Sequence, residues 1–288
     1  MIRPKVSICI PTYMQIIYLQ KTLDSILKQD YTNFELVVTD DSPDESVKNL
    51  LDKYDFKGKL KYYKNVIPFG SPENWNECVR KAAGEYIKIL HHDDWFSEPY
   101  SLKKFVEALD NNPKVGFIFS MVNSINAKLK TQTQHIVDEK FLENLRKDPT
   151  VLFFGNLIGP PSSVIYRKSI DVKFDTKLKW VVDIDFYIQC LLKNNNFIFL
   201  SDALITSVNN AEHSVTNDCM NKEVEVYEYT YLYKKIGGHK KLRSKYIDFF
   251  RNLFLRYNVN KSEVNNLLKE LKPDKNIRLA LLRNKVGI

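Results

Sequence analysis

Short apolar runs alternate with amphipathic stretches over the first two thirds of the chain. Val6-Ser7-Ile8-Cys9-Ile10 is β-rich, and Pro11 is expected to stop it because proline cannot continue a sheet ladder. Leu19, Leu23, Ile26 and Leu27 then recur at helical spacing, before a turn at Asp30-Tyr31-Thr32-Asn33. Phe34 to Thr39 is a second strand, and it runs straight into Asp40-Asp41-Ser42. Ser42 followed by Glu45 predicts a capping box for a helix carrying Val47, Leu50, Leu51 and Tyr54. Leu60 to Lys64 is a third strand. Ser71 as N-cap and Pro72 at the first helical position announce a helix with Trp75, Cys78, Val79, Ala82 and Ala83 on its apolar face, ended by Gly84. Glu85 to Leu90 is an apolar strand, Ser101 to Leu109 an amphipathic helix, and Val115 to Phe119 another buried strand. This pattern predicts an α/β fold: a mostly parallel sheet flanked by helices, with ligands collecting beyond the carboxyl ends of its strands.

Beyond Ser120 the regular alternation fails. Asn123 to Gln134 is polar, an irregular loop or a hairpin, and Phe141, Leu142 and Leu145 suggest a short helix. Gly159-Pro160-Pro161-Ser162-Ser163 reads as a rigid turn feeding a strand from Val164 to Arg167, Trp180 to Leu192 looks helical, and Phe197 to Leu200 is a last strand. Tyr227 to Ile236, Tyr246 to Tyr257 and Ser262 to Leu271 are helical segments rich in Lys, Arg and aromatics. The expected division is an α/β domain over residues 1–218 and a helical, basic C-terminal extension over 219–288.

Composition narrows the class. The chain has 288 residues, 44% hydrophobic and 27% charged, the balance of a globular protein and not of a disordered or membrane-spanning one. Its first residues lack the apolar stretch of a secretory signal, so retention in the cytoplasm is expected. Cys9, Cys78, Cys190 and Cys219 are scattered without a Cys-x-x-Cys pair, which argues against zinc and against a disulfide framework. The net charge is +8, and it belongs to the tail: from Cys219 onward sixteen Lys and Arg face seven Asp and Glu.

The chemistry gathers where strands end in acids. Glu85 to Leu90 delivers His91-His92-Asp93-Asp94, and Phe34 to Thr39 delivers Asp40-Asp41, to what should be one sheet edge. Adjacent carboxylates repel, and a hard divalent cation such as Mg²⁺ or Mn²⁺ relieves the repulsion while holding phosphates. The competing reading is that these aspartates only cap the next turn. No Gly-x-Gly-x-x-Gly and no Gly-Lys-Ser/Thr is present, so neither a dinucleotide fold nor a P-loop is supported.

In order and spacing these segments resemble the inverting family 2 glycosyltransferases of the GT-A fold, of the bacterial surface-polysaccharide type. Val6 to Tyr13 looks like that family's opening strand, Phe34 to Ser42 its nucleotide-binding strand, and Asn76 with Gly84-Glu85-Tyr86-Ile87 the helix and strand leading to its metal motif. The resemblance covers roughly Lys5 to Leu204 and makes residues 1–218 the catalytic domain. It implies nucleotide contacts from Pro11, Tyr13, Asp40, Asp41, Asn76 and Asp93, and a divalent metal, Mn²⁺ or Mg²⁺, on Asp93 and Asp94. The family's Asp-x-Asp-Asp begins here with His91. His91 and His92 are either metal ligands or pocket wall, and the second is preferred because the sequence shows no convergent partners. Val182-Asp183-Ile184-Asp185-Phe186 resembles the family's Glu-Asp-x-Asp helix start and assigns the catalytic base to Asp183, with Val182 in place of Glu. Helix-dipole stabilisation of a first turn is the plain alternative for both aspartates. His92, Trp95, Pro161, Ser162, Asp185 and His213 are expected acceptor or diphosphate contacts.

The implied reaction moves a sugar from a nucleotide-diphosphate sugar, a UDP-sugar, to a saccharide acceptor, lipid-linked, with inversion. A sugar-nucleotide nucleotidyltransferase is the competing enzyme, but it needs a Gly- and Arg/Lys-rich phosphate loop near the first strand, which is missing. A catalytically inactive nucleotide-sugar-binding protein is the competing non-enzyme, and Asp183 argues against it. The extension carries no recognised nucleic-acid motif, so nucleic acid is not an expected partner. Lys234, Lys235, His239, Lys240, Lys241, Arg243, Lys245, Arg251 and Arg256 are interleaved with Tyr231, Tyr233, Tyr246, Phe249, Phe250, Phe254 and Tyr257. That mixture suits a peripheral site on the anionic inner face of the plasma membrane, or else rings packed on the catalytic domain with the charges solvated.

Overall fold

The computed structural model describes residues 3–134, 136–209, 219–237 and 243–283. Strands β1 (Val6–Thr12), β2 (Phe34–Asp40), β3 (Leu60–Lys64) and β4 (Tyr86–Ile89) alternate with helices α1 (Ile16–Leu27), α2 (Ser46–Leu51) and α3 (Glu73–Lys81). They form the parallel half of a nine-stranded sheet in the order β3-β2-β1-β4. Then come β5 (Asp94–Phe96), α4 (Ser101–Asp110), β6 (Phe117–Asn126), β7 (Thr131–Gln134), α5 (Glu139–Lys147), β8 (Val164–Arg167), α6 (Val182–Lys193) and β9 (Phe197–Asn209). The sheet continues β4-β8-β6-β9-β5, with β8 antiparallel to both β4 and β6, so it is mixed beyond its first half. The polar stretch after Ser120 is the hairpin of the two alternatives: Asn123–Asn126 pairs with Thr131–Gln134.

The sheet is covered on both faces because its strands alternate between two apolar layers. Val6, Ile8 and Ile10 of β1 pack toward α1, α2 and α4, whereas Cys9 faces the layer of α3, α5 and α6. Three local expectations change. β1 runs through Pro11: the carbonyls of Lys5 and Cys9 accept from β4, so Pro11 turns its missing N–H to the same side, where β4 has already ended at Ile89. No capping box forms at Ser42; α2 starts at Ser46, whose N–H donates to Asp44, while Ser42 Oγ accepts from Met14 N at 2.7 Å. Pro72, not Ser71, takes the N-cap position of α3. Gly84 is no helix cap either: a Cβ there would lie 2.5 Å from Ser7 N, so it permits close packing of the chain on β1.

The C-terminal helices are α7 (Lys222–Lys235), α8 (Arg243–Arg256), α9 (Lys261–Leu267) and α10 (Lys275–Arg283), the last not foreseen. The expected division at 218/219 abuts residues 210–218, which lie outside the described residues, as do His239, Lys240 and Lys241. The rings offered to a bilayer are mostly turned inward. Tyr233, Tyr246, Phe250 and Phe254 are buried in the same apolar cluster as α6, and Phe249 packs against it. Their partner is Phe153, in a 3₁₀ turn over Pro149–Phe154, with Tyr229, Tyr246, Phe249 and Phe250 at centroid distances of 5.4, 4.9, 4.9 and 6.1 Å. Several cations are likewise engaged internally: Lys235 with Asp175 and Asp185, Arg256 with Glu225, and Lys234 with the carbonyls of Leu271 and Lys272. Among the described residues no helix is long and apolar enough to cross a membrane. Phe153→Ala is expected to lower the unfolding free energy by about 3–5 kcal/mol, the range for a buried Phe with incomplete relaxation, read as a shift of the urea midpoint.

Candidate active site

Because β1, β2 and β4 are parallel neighbours, their carboxyl ends open on one edge and bring Thr12-Tyr13, Asp40-Asp41-Ser42 and His91 to Asp94 together. Tyr13 stands there 54% exposed, its ring free to stack. Met14 and Gln15 follow in the left-handed region and swing the chain into α1. Asp41 is buried and caps nothing: its carboxylate accepts from Asn65 Nδ2 at 2.7 Å, Phe69 N at 3.1 Å and Gly70 N at 2.8 Å, fixing the loop after β3 beside Tyr13's strand. Asp40, expected to touch the nucleotide, is fully buried and spent on the sheet. It takes Tyr62 Oη at 2.8 Å, Lys64 Nζ at 3.0 Å, Ser42 N at 2.8 Å and Thr12 Oγ1 at 3.3 Å.

After β4 the chain makes a tight turn, Asp94 N donating to His91 O at 3.1 Å, and Thr22 Oγ1 of α1 pins it through the carbonyls of His92 and Asp94 at 3.0 and 2.8 Å. The turn gathers His91, Asp93 and Asp94, one donor atom from each lying within 4.8 Å of the others. His91 Nε2 is buried and has no hydrogen-bond partner among the described residues. Burial holds the imidazole's pKa down at about 4, so at neutral pH it keeps a lone pair for a cation. The pKa of Asp94, 3% exposed, is pushed up to about 7, first by desolvation and then by Asp93, against the hydroxyls of Ser162 and Ser207. One neutral imidazole beside two crowded carboxylates is a donor set that fits Mn²⁺ or Mg²⁺. The preference for His91 as pocket wall alone is therefore revised.

Sequence reading missed the residue behind this turn. Lys88, in the middle of β4, is fully buried; its Nζ donates to the Ser162 carbonyl and, at 3.3 Å, to that of Val164, and lies 4.8 Å from the Phe105 ring centroid. Desolvation lowers its pKa to about 7. The signal was a lone lysine between Ile87 and Ile89. Ser162 in turn accepts from His91 N at 2.9 Å, and Pro161 is buried beside it in the 3₁₀ turn Pro161–Ser163, so this loop braces the His91–Asp94 turn.

Asp183 lies in the first turn of α6, tied through Asn156 to the loop that carries Ser162. Its Oδ2 accepts from Asn156 Nδ2 at 2.7 Å and its Oδ1 from Ile184 N at 2.7 Å, while desolvation raises its pKa to about 6. A carboxyl poised there can take a proton near neutral pH. Three other expectations are corrected. Asp185 is fully buried and paired with Lys235 Nζ at 2.7 Å, so it faces α7 and not the cleft. Asn76 is committed to Phe174 in both directions, 2.9 Å from Nδ2 to the carbonyl and 2.9 Å from the Phe174 N–H, and it locks α3 to the segment before α6. Trp95 points away from its neighbour Asp94, toward Lys21 of α1 with a cation–ring distance of 5.4 Å. His213 lies outside the described residues.

Residues 7–174 match the family model described as Glycosyl transferase family 2. A glycosyltransferase of Methanocaldococcus jannaschii is 27% identical over 207 residues, 70% of this chain and 70% of that protein. The poly(ribitol-phosphate) β-N-acetylglucosaminyltransferase TarS of Staphylococcus aureus is 26% identical over 205 residues, 69% of this chain; the match spans only 34% of TarS. Among solved structures, residues 1–349 of S. aureus TarS in complex with UDP-GlcNAc give a TM-score of 0.63 at 20% identity, covering 97% of this chain and 79% of that one. The mannosyltransferase PcManGT of Pyrobaculum calidifontis, in complex with GDP-Man and Mn²⁺, gives 0.59 at 16% identity, covering 97% and 73%.

If the turn holds a divalent ion, Mn²⁺ at about 100 times its Kd is expected to stabilise the folded chain by about 2.7 kcal/mol, seen as a rise in Tm. His91→Ala and Asp94→Asn should each abolish most of that rise while remaining folded. An undiminished Mn²⁺ response in Asp94→Asn contradicts the assignment.

Proposed function

From the premise that the chain belongs to glycosyl transferase family 2 and has the GT-A fold, we propose that it transfers a sugar from a UDP-sugar to a hydroxyl of a saccharide acceptor, lipid-linked, with inversion at the anomeric carbon. The observation that carries the reading is one loop that serves two acidic groups: Asn156 donates to Asp183 and to the Gly159 carbonyl, and Ser162, three residues on, accepts from His91 N. His91, Asp93 and Asp94 form a metal-type donor set, and Asp183 is a partly desolvated acid held by the same loop. The choice of UDP draws on the UDP-GlcNAc complex of TarS.

In this reading Tyr13 stacks on the nucleobase, and Asp41, its carboxylate already oriented by Asn65, Phe69 and Gly70, accepts an N–H from the base edge. His91, Asp93 and Asp94 hold Mn²⁺ or Mg²⁺, with Ser162 and Ser207 orienting Asp94. A divalent ion there supplies Lewis-acid stabilisation of negative charge on the departing nucleoside diphosphate. Asp183 removes the proton from the acceptor hydroxyl as that oxygen attacks the anomeric carbon from the face opposite the leaving group. Asn156 and the Ile184 N–H each occupy one lone pair of the carboxylate, and a second lone pair on either oxygen serves the acceptor hydroxyl.

The test is nucleotide release from a panel of UDP-sugars and GDP-mannose with Mn²⁺. Asp183→Asn is expected to retain donor binding and lose turnover by about 10²-fold or more, the scale of general-base catalysis. Since the base must be ionised, kcat of the wild type should rise with pH through an acid limb near 6. Turnover of Asp183→Asn at the wild-type rate, or a kcat flat between pH 5 and 8, contradicts Asp183 as the base.

A further inference from the structure

The face of α7 that meets α6 carries chemistry that packing alone does not require. α6 begins at Val182 after Val181, a residue that caps with no side chain, so its leading N–H groups need partners from elsewhere. Glu228 of α7, 4% exposed, instead fixes the segment that leads into the helix: its carboxylate accepts from Lys179 N at 2.9 Å, Trp180 N at 2.8 Å and the N-cap Val181 N at 3.1 Å. Two helical turns on, Lys235 Nζ reaches Asp185 and Asp175, each at 2.7 Å, and between them Tyr231 Oη donates to Asp175 at 3.0 Å. Residues 228, 231 and 235 share one helix face. Asp183 sits between the two points at which this face grips α6, residue 181 and residue 185.

The remaining support of Asp183 leads to the same helices. Asn156, which donates to its carboxylate, follows the 3₁₀ turn of Phe153, and Phe153 is ringed by Tyr229, Tyr233, Tyr246, Phe249 and Phe250 of α7 and α8. A buried carboxylate taking three backbone N–H groups and a lysine bridging two acids, one of them fully buried, are demanding arrangements, and each fixes position more sharply than apolar contact does. We propose that Glu228 and Lys235 are positioning residues for Asp183, so that the C-terminal helices complete the active site. This rests on the reading of Asp183 as the base.

The experiment uses the full chain and nucleotide release from the panel of UDP-sugars and GDP-mannose with Mn²⁺. Glu228→Gln keeps the size of the side chain and removes its charge. If Glu228→Gln fails to fold, the paired variant Asp185→Asn/Lys235→Met removes the cation together with the charge of its fully buried partner, while Asp175 keeps its bond from Tyr231. Each is expected to lower kcat about 10-fold or more while donor KM stays within about 2-fold, because a base displaced by a fraction of an ångström loses rate and not donor affinity. Wild-type kcat in the folded variants, or a parallel loss of donor affinity, overturns the proposal. Asp183→Asn is measured alongside: if it turns over normally, the base assignment fails and this proposal with it, whereas a dead Asp183→Asn beside a fully active Glu228→Gln removes the positioning role alone.

Discussion

Everything at the site depends on holding partly desolvated carboxylates at one edge of a sheet without letting them repel or collapse. Water is largely excluded from Asp94, and desolvation pushes its pKa up to about 7 even though two hydroxyls and the buried Lys88 favour its charge. Asp183 is raised to about 6 for the same first reason, with two N–H donors opposing the shift. The fold leaves these two acids poised near neutrality and ties down three of their neighbours. Asp40 is satisfied by Tyr62 and Lys64, Asp185 by Lys235, and Asp41 by the loop after β3. Five aspartates that look alike in sequence are thereby sorted into two that are poised and three that are tied down.

That sorting explains how much could be read in advance. The parallel half of the sheet was legible because each strand is an apolar run and each helix an amphipathic one, and both signals are local. The positions of Asp93, Asp94 and Asp183 were legible because strand ends and helix starts are local too. What separates Asp183 from Asp185, and what ties down Asp40, is a partner far along the chain: Lys235 lies 50 residues from Asp185 and Lys64 lies 24 from Asp40. Asn76 shows the same limit, since its amide is claimed by Phe174, 98 residues away. No periodicity reports such pairings.

The C-terminal region shows why a mixture of cations and rings is ambiguous. A helix with aromatic and basic residues suits an anionic bilayer, and it equally suits an apolar seat inside the protein when one exists. Phe153 is that seat, and it could not be assigned from its own neighbourhood, where Pro149–Phe154 reads only as a short apolar turn. Once the rings are buried, the cations on the same helices are drawn to acids of the α/β layer, and Lys235 becomes a link between α7 and α6. The region that looked like an anchor is continuous with the core that carries Asp183.

The central claim is a single displacement driven by one base, and the configuration of the product reports on it most directly. Proton NMR of the anomeric signal, followed from the first minutes of reaction with a UDP-α-sugar, is predicted to show the β-anomer forming first. An α-configured initial product would contradict the account, because retention needs a second displacement or a same-face attack, and a single base acting on the acceptor hydroxyl provides neither.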